Sequence, residues 1–263
     1  MKKQNPFRII IFLKVAALTR VLLSLRYKIS IKGSEVFKTD VPVLILPNHQ
    51  ALVDPMIIMS QIYRYSLAIP VVSSTFYDIP VLRSVFSGWG AVRVSNLEAG
   101  SRNTNVLNEI TRSVLKGFRR GKNIILYPSG QLAGQGYEKI FNKKSAQKIV
   151  NKMPDDVKVI GVRITGLWGS MWSKARTGKT PNFFVQLLKG IFYILANLIF
   201  FLPRRKVTIE IEDLTIQAKT KAELGIKTFN LFLEDYFNFH GEESPNFLKH
   251  FFILPNKIVN SAE

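Results

Sequence analysis

The stretch Val43-Leu44-Ile45-Leu46-Pro47-Asn48-His49-Gln50-Ala51-Leu52-Val53-Asp54-Pro55 decides how this chain is read. Its first four residues have the length and apolar content of a buried strand, and Met56-Ile57-Ile58-Met59 beyond it reads as the start of a helix. Asp54 is a favoured N-cap type, and Pro55 suits the first helical position, where its missing N–H would have no partner. His49 is therefore expected where a strand ends and Asp54 where a helix begins. On the two arms of one tight connection they can turn toward each other. The carboxylate then holds the imidazole in one tautomer and leaves its other nitrogen free as a base. That is half of an acyl-transfer site. A chance spacing followed by ordinary helix capping would look the same, so the flanking sequence has to decide.

Working outward, strands and helices alternate. Ile29 to Ile31 reads as a short strand and Lys32-Gly33-Ser34 as a turn. Past a helix at 56–64 comes a buried strand at 67–72, then a loop into a short helix at 81–87, then Gly88-Trp89-Gly90-Ala91-Val92-Arg93-Val94 as a glycine-broken strand. A helix over 101–120 closes on Lys116, Arg119, Arg120 and Gly121, a usual C-terminal arrangement. Asn123 to Tyr127 is a strand running into Pro128-Ser129-Gly130-Gln131, and 157–164, 207–211 and 219–237 read as strand, strand and helix. The pattern predicts one α/β domain with a central, mostly parallel or mixed sheet flanked by helices and with ligand groups at strand ends. The expected organisation is an N-terminal membrane-associating helix at 1–28, the α/β domain at 29–217 including an apolar helix at 183–202, and a C-terminal helix and tail at 218–263.

The chain of 263 residues has no cysteine, which excludes disulfides, thiolate metal sites and cysteine nucleophiles. His49, His240 and His250 lie too far apart for metal-ligand spacing, so no metal and no cofactor beyond a co-substrate is expected. A formal charge of +19 calls for an acidic partner. With 47% hydrophobic residues, 19 Phe and no nucleic-acid reading motif, an anionic membrane surface is the better reading and nucleic acid is not expected.

Two segments bear on the membrane. In the apolar run 7–25, Arg8, Lys14 and Arg20 fall about 120° apart around a helix axis. That leaves no clean polar face and would place Lys14 near the bilayer centre at roughly 2.5–3.5 kcal/mol. A helix lying on the membrane with its basic side chains reaching the phosphates fits best, and a helix packed on the domain is the alternative. The run 183–202 has the length of a bilayer span of roughly 20 residues. Basic residues flank both of its ends, however, and Gln186, Lys189, Gly190, Tyr193 and Asn197 share one helical face. An in-plane or re-entrant helix fits best, a packed core helix next and a true span third.

Four of these stretches together resemble the glycerolipid acyltransferases, which include the 1-acyl-glycerol-3-phosphate and other lysophospholipid acyltransferases. The family's N-H-x-x-x-x-D motif is matched in full by Asn48, His49 and Asp54. Its second motif, a Gly followed by apolar residues and an Arg, is matched loosely by Gly88 to Val94, with Arg93 one place early. Its Pro-Glu-Gly-Thr core becomes Pro128-Ser129-Gly130-Gln131, and its fourth motif, a strand with a central Pro, is Val159 to Ile164 with Gly161 in the Pro position. The resemblance covers roughly residues 30 to 170. It implies His49 as general base, Asp54 as its orienting partner, and Asn48, Arg93, Ser129, Gly130 and Gln131 as the acceptor-binding set. The departures in the second and third motifs, which hold glycerol phosphate in the family, point to an acceptor with a different head group.

The activity so implied is membrane-associated transfer of a fatty acyl chain from acyl carrier protein or coenzyme A to a hydroxyl of a lysophospholipid or related glycerolipid. It would act peripherally or monotopically on the cytoplasmic face, in phospholipid biosynthesis or remodelling. Asp235 to Pro245 also looks like the segment that joins an acyltransferase to an acyl-activating ligase in fused bacterial proteins, which implies a separate ligase partner. Ser129 as a nucleophile is a rival, but it lacks the Gly-x-Ser-x-Gly elbow. The alternative from another class is a catalytically decayed lipid-binding scaffold of the same fold.

Overall fold

The computed structural model describes residues 6–89, 91–94, 104–199 and 201–251. Among these described residues seven strands, β1 (Tyr27–Lys32), β2 (Val43–Pro47), β3 (Ala68–Ser73), β4 (Val92–Val94), β5 (Asn123–Ile125), β6 (Lys158–Thr165) and β7 (Arg205–Asp213), form one sheet in the order β1-β7-β6-β2-β5-β3-β4. β6, β2, β5, β3 and β4 run parallel; β7 pairs antiparallel with β6, and β1 lies parallel to β7.

Every residue of β2 is buried, because alternate side chains enter different cores. Leu44 and Leu46 join Ile124 and Val159 beneath the helices α5 (Thr104–Phe118), α6 (Ser145–Val150), α8 (Thr215–Glu223) and α9 (Ile226–Phe237). Val43 and Ile45 join Ile125, Ile160 and Val162 beneath α2 (Asp54–Ile62), against which α1 (Pro6–Arg26) also packs. A parallel strand covered on both faces carries such a continuous apolar run.

The connection leaving β2 crosses one face through α2, whereas the one leaving β5 crosses the other through α6. The C-terminal ends of these neighbouring strands are the position where ligands bind in open α/β sheets. β6 passes close under the helices on its other side. A Cβ at Gly161 would stand 2.4 Å from Leu214 Cδ1 and 2.7 Å from the Tyr236 ring, so those two side chains fill the space a larger residue would need.

Several local expectations change. Gly88 and Trp89 end the helix α4 (Pro80–Trp89), which follows the short α3 (Ser74–Tyr77), and the strand is confined to Val92–Val94. Gly90, and residues 101–103 of the expected 101–120 helix, lie outside the described residues. The helix expected at 219–237 is two, because Gly225 at φ 106° separates α8 from α9. The apolar helix expected at 183–202 is α7 (Phe183–Ala196) and stops there. The Asn197 side-chain amide donates to the carbonyls of Tyr193 at 2.7 Å and His250 at 2.8 Å, and Leu198 and Ile199 turn to φ 50° and 67°. The boundaries expected at 28/29 and 217/218 fall inside β1 and α8, and Ala218, Ala222, Phe229 and Leu233 share the core of Leu44 and Leu46.

The antiparallel extension is held by charge as well as by its ladder. Glu210 on β7 stands in register with both Arg163 on β6 and Lys32 on β1. It accepts from Arg163 at 2.7 Å and Lys32 at 3.4 Å, and meets His240 Nε2 at 2.7 Å. The His240 bond, with Arg163, holds the Glu210 carboxyl down at about 2 against an ordinary 4.5. A depressed folded pKa stabilises above the unfolded value and ceases to do so as pH falls through the folded one. Wild type should therefore lose stability between pH 4.5 and 2 more steeply than Glu210→Gln, a difference that urea unfolding across that window will measure.

Candidate active site

The β2–α2 connection carries the chemistry. Asp54 is not the N-cap that its sequence position suggests, since the helix is preceded by Val53 and no side chain caps it. The carboxylate turns back into the loop instead, where Oδ2 lies 3.1 Å from His49 Nδ1 and accepts from the Ala51 N–H at 2.9 Å. Asp54 is 0% exposed, and burial pushes its carboxyl above the ordinary carboxylate range, against the downward pull of His49. A carboxylate oxygen accepts, so Nδ1 carries the proton and Nε2 presents its lone pair. The His49 side chain is 15% exposed, sheltered but reachable.

The loop after β5 wraps the same histidine on three sides. The Tyr127 ring lies 4.2 Å from the imidazole, centroid to centroid. The Ala133 N–H donates to the His49 carbonyl at 2.7 Å, and Glu138 Oε2 accepts from the His49 N–H at 3.0 Å. Three polar atoms around this histidine are buried without a partner: Asp54 Oδ1, Tyr127 Oη and Glu138 Oε1.

A family model described as Acyltransferase matches residues 28–165, more than half of the chain, and takes in all of β2 to β6 with this loop and β1 but for Tyr27. The chain belongs to the Acyltransferase family. It is an acyltransferase by that membership, in agreement with the glycerolipid-acyltransferase resemblance read from its motifs. Among solved structures it is similar to the crystal structure of the 1-acyl-sn-glycerophosphate acyltransferase PlsC from Thermotoga maritima. The two are 18% identical, with a TM-score of 0.57 over 91% of this chain and 82% of the other, which supports a common fold. No curated protein matches the sequence.

The other residues singled out in the sequence of this acyltransferase are dispersed. The Asn48 amide acts as an extra rung of sheet, donating to the Ile164 carbonyl at 2.9 Å and accepting from the Ile164 N–H at 2.8 Å. Ser129 is buried and its Oγ donates to the Gln131 carbonyl at 2.9 Å, while the Gly130 N–H, a candidate oxyanion donor, is engaged with the Tyr127 carbonyl at 3.1 Å. Gly130 and Gln131 are exposed on that turn. Arg93 lies on β4, three strands from β2 and so roughly 14 Å across the sheet. It is level with the end of β2, but its guanidinium pairs with Asp78 at 2.8 and 2.5 Å.

Glu138 and Glu243 escaped the sequence reading. Glu138 sits in Gly134-Gln135-Gly136-Tyr137-Glu138-Lys139, where nothing local distinguishes it from a solvated loop acid. Glu243 lies in the tail beyond α9 and bonds Gln50 Nε2 at 2.7 Å and the Gly166 N–H at 2.9 Å. The tail main chain runs so close to the loop that a Cβ at Gly136 would fall 2.0 Å from the Glu243 carbonyl oxygen.

Asp54→Asn keeps an acceptor for the Ala51 N–H but no longer dictates the imidazole tautomer. It should fold with a wild-type melting temperature and lose about 10²–10⁴-fold in kcat, as steady-state acyl transfer beside a thermal melt would register.

Proposed function

We propose that this acyltransferase moves a fatty acyl chain from an acyl thioester, carried by acyl carrier protein or coenzyme A, to a hydroxyl of a lysophospholipid or related glycerolipid at an anionic membrane surface. The observation that carries the reading is the buried His49–Asp54 pair at a strand end, with Nε2 left for substrate. The acceptor hydroxyl donates to Nε2. As its oxygen attacks the thioester carbonyl, the proton passes to His49, and Asp54 stabilises the imidazolium that forms. Collapse of the tetrahedral intermediate breaks the C–S bond, and the imidazolium returns the proton to the departing thiolate. No acyl-enzyme is needed. Gly130 and Gln131, exposed beside the His49 loop, are the nearer acceptor contacts, whereas Arg93 would have to exchange its Asp78 partner for the lipid head group.

Membrane engagement draws its support from the polarity of α7. Gln186, Gly190, Tyr193 and Asn197 are sheltered, Tyr193 stacks on His250, and Leu187, Leu188, Ile191, Phe192 and Leu195 are exposed. A helix on a water-facing surface has the reverse arrangement. α1 also exposes Leu18, Val21 and Leu22. Contiguous apolar surface on a chain of net charge +19 suits an acidic lipid interface. Among the described residues no helix is long and apolar enough to cross a membrane, and α7, with 14 residues, is about 21 Å long. An in-plane helix on the cytoplasmic leaflet is the form of attachment we propose, with a separate acyl-activating ligase as the source of thioester.

Two experiments test this. A panel of lysolipids offered with acyl carrier protein and coenzyme A thioesters should reveal thioester-dependent acylation by wild type, and His49→Ala should lower it by more than about 10²-fold; equal turnover by both would sink the mechanism. Leu188→Glu with Ile191→Glu should abolish flotation with vesicles rich in anionic lipid while leaving the melting temperature unchanged.

A further inference from the structure

The catalytic histidine is held through its main chain as well as its ring, and the main-chain contact comes from a carboxyl group that the histidine chemistry does not itself require. Glu138 is 3% exposed. Its Oε2 accepts from the His49 N–H at 3.0 Å, and its Oε1 is buried without a partner. Its own main chain is clamped on both sides by one side chain beyond α9, since the Glu138 N–H donates to Asn238 Oδ1 at 2.7 Å and Asn238 Nδ2 donates to the Glu138 carbonyl at 2.9 Å. Ser129, which stands where the family motif has a glutamate, lies close to the Glu138 carboxyl, although its hydroxyl is given to the Gln131 carbonyl.

We propose that Glu138 is a positioning residue of the acyl-transfer site, a carboxylate that fixes the His49 backbone and supplies negative charge behind the imidazolium formed during transfer. A loop acid with only a structural task would be served equally well by any neutral acceptor, and burying a carboxyl costs free energy that a neutral amide avoids. The charge therefore has a use. The titratable groups facing it are His49 and Asp54 from the β2–α2 connection and Tyr127 from beyond β5, while the α9 side contributes the Asn238 amide. Burial pushes the Glu138 carboxyl up to about 7, against the pull of the neighbouring Ser129 and His49, so it changes charge close to neutrality. Above that pH its bond to the His49 N–H is charge-assisted and stronger; below it, the bond is an ordinary one.

The kinetic consequence rests on the acyl-transfer reading, but the contact itself can be read without turnover. In a His49→Ala background the imidazole is gone and the amide at position 49 remains. Its proton resonance should move downfield as pH rises, with a midpoint above that of the wild-type carboxyl because the imidazole that lowers it is gone, and Glu138→Gln in the same background should flatten that step. In the otherwise wild-type enzyme, Glu138→Ala should lower kcat at least tenfold with KM for the lysolipid within about twofold. Glu138→Gln, which keeps the acceptor, should recover most of that loss below pH 6.5 and less of it above pH 8. An amide at position 49 that does not titrate, or that titrates equally with Glu138→Gln, overturns the assignment of the contact. Wild-type kcat in Glu138→Ala, or pH profiles of Glu138→Gln and wild type that run parallel, overturn the electrostatic role. If Glu138→Ala fails to fold, the Glu138→Gln profile and the amide titration decide alone. Absence of wild-type turnover with every lysolipid would refute the acceptor class and leave the amide result standing.

Discussion

A carboxylate with no exposed surface, at the start of the helix that follows a buried strand, is the constraint on which the site depends. Left alone, the Asp54 charge would be driven to protonate, because desolvation disfavours the ionised form. Two donors oppose that, the Ala51 N–H and His49 Nδ1, and both bind the same oxygen. The turn between them cannot relax without stranding the charge. The bond that satisfies one oxygen of a buried acid is therefore the same bond that aims the imidazole, and Pro55 follows it in the first turn of α2.

The rest of the molecule secures that turn from outside. β5 lies beside β2, and the loop it feeds reaches His49 through Tyr127, Ala133 and Glu138. β6 lies on the other side and takes the Asn48 amide as an added rung at Ile164. The tail beyond α9 closes the arrangement by bonding Gln50 through Glu243 and Glu138 through Asn238. Residues widely separated in the chain thus converge on three consecutive positions, 48, 49 and 50. The Arg163–Glu210–Lys32 clamp ties β7 to both β1 and β6, and β6 bears the two Asn48 bonds.

The outer surface follows a different rule. α7 shelters Gln186 and Tyr193 but exposes Lys189 with most of its apolar residues, and its end is set by Asn197 rather than by exhaustion of apolar sequence. A hydropathy reading runs on through Leu198 to Leu202 because those residues are apolar, although Leu198 and Ile199 have left the helical region and Leu202 is buried in the domain. Composition reports that a segment avoids water. It does not report whether lipid or protein replaces the water.

The sequence by itself determined the α/β alternation, the position of His49 beyond a buried strand, and its pairing with an acid five residues later. These are short-range properties, governed by periodicity, turn chemistry and the reach of two side chains across one tight loop. It also determined the family, because the motifs stand in order at strand ends. Only the tertiary structure decided that Asn48 is a sheet contact, that Arg93 stands three strands away paired with Asp78, and that Ser129 turns back on its own loop. Only it brought Glu138 and Glu243 to the histidine loop. The physical reason is the same in each case. A polar side chain takes whichever donor or acceptor burial leaves it, and which groups are buried beside it depends on strand order and on a tail that returns from far along the chain.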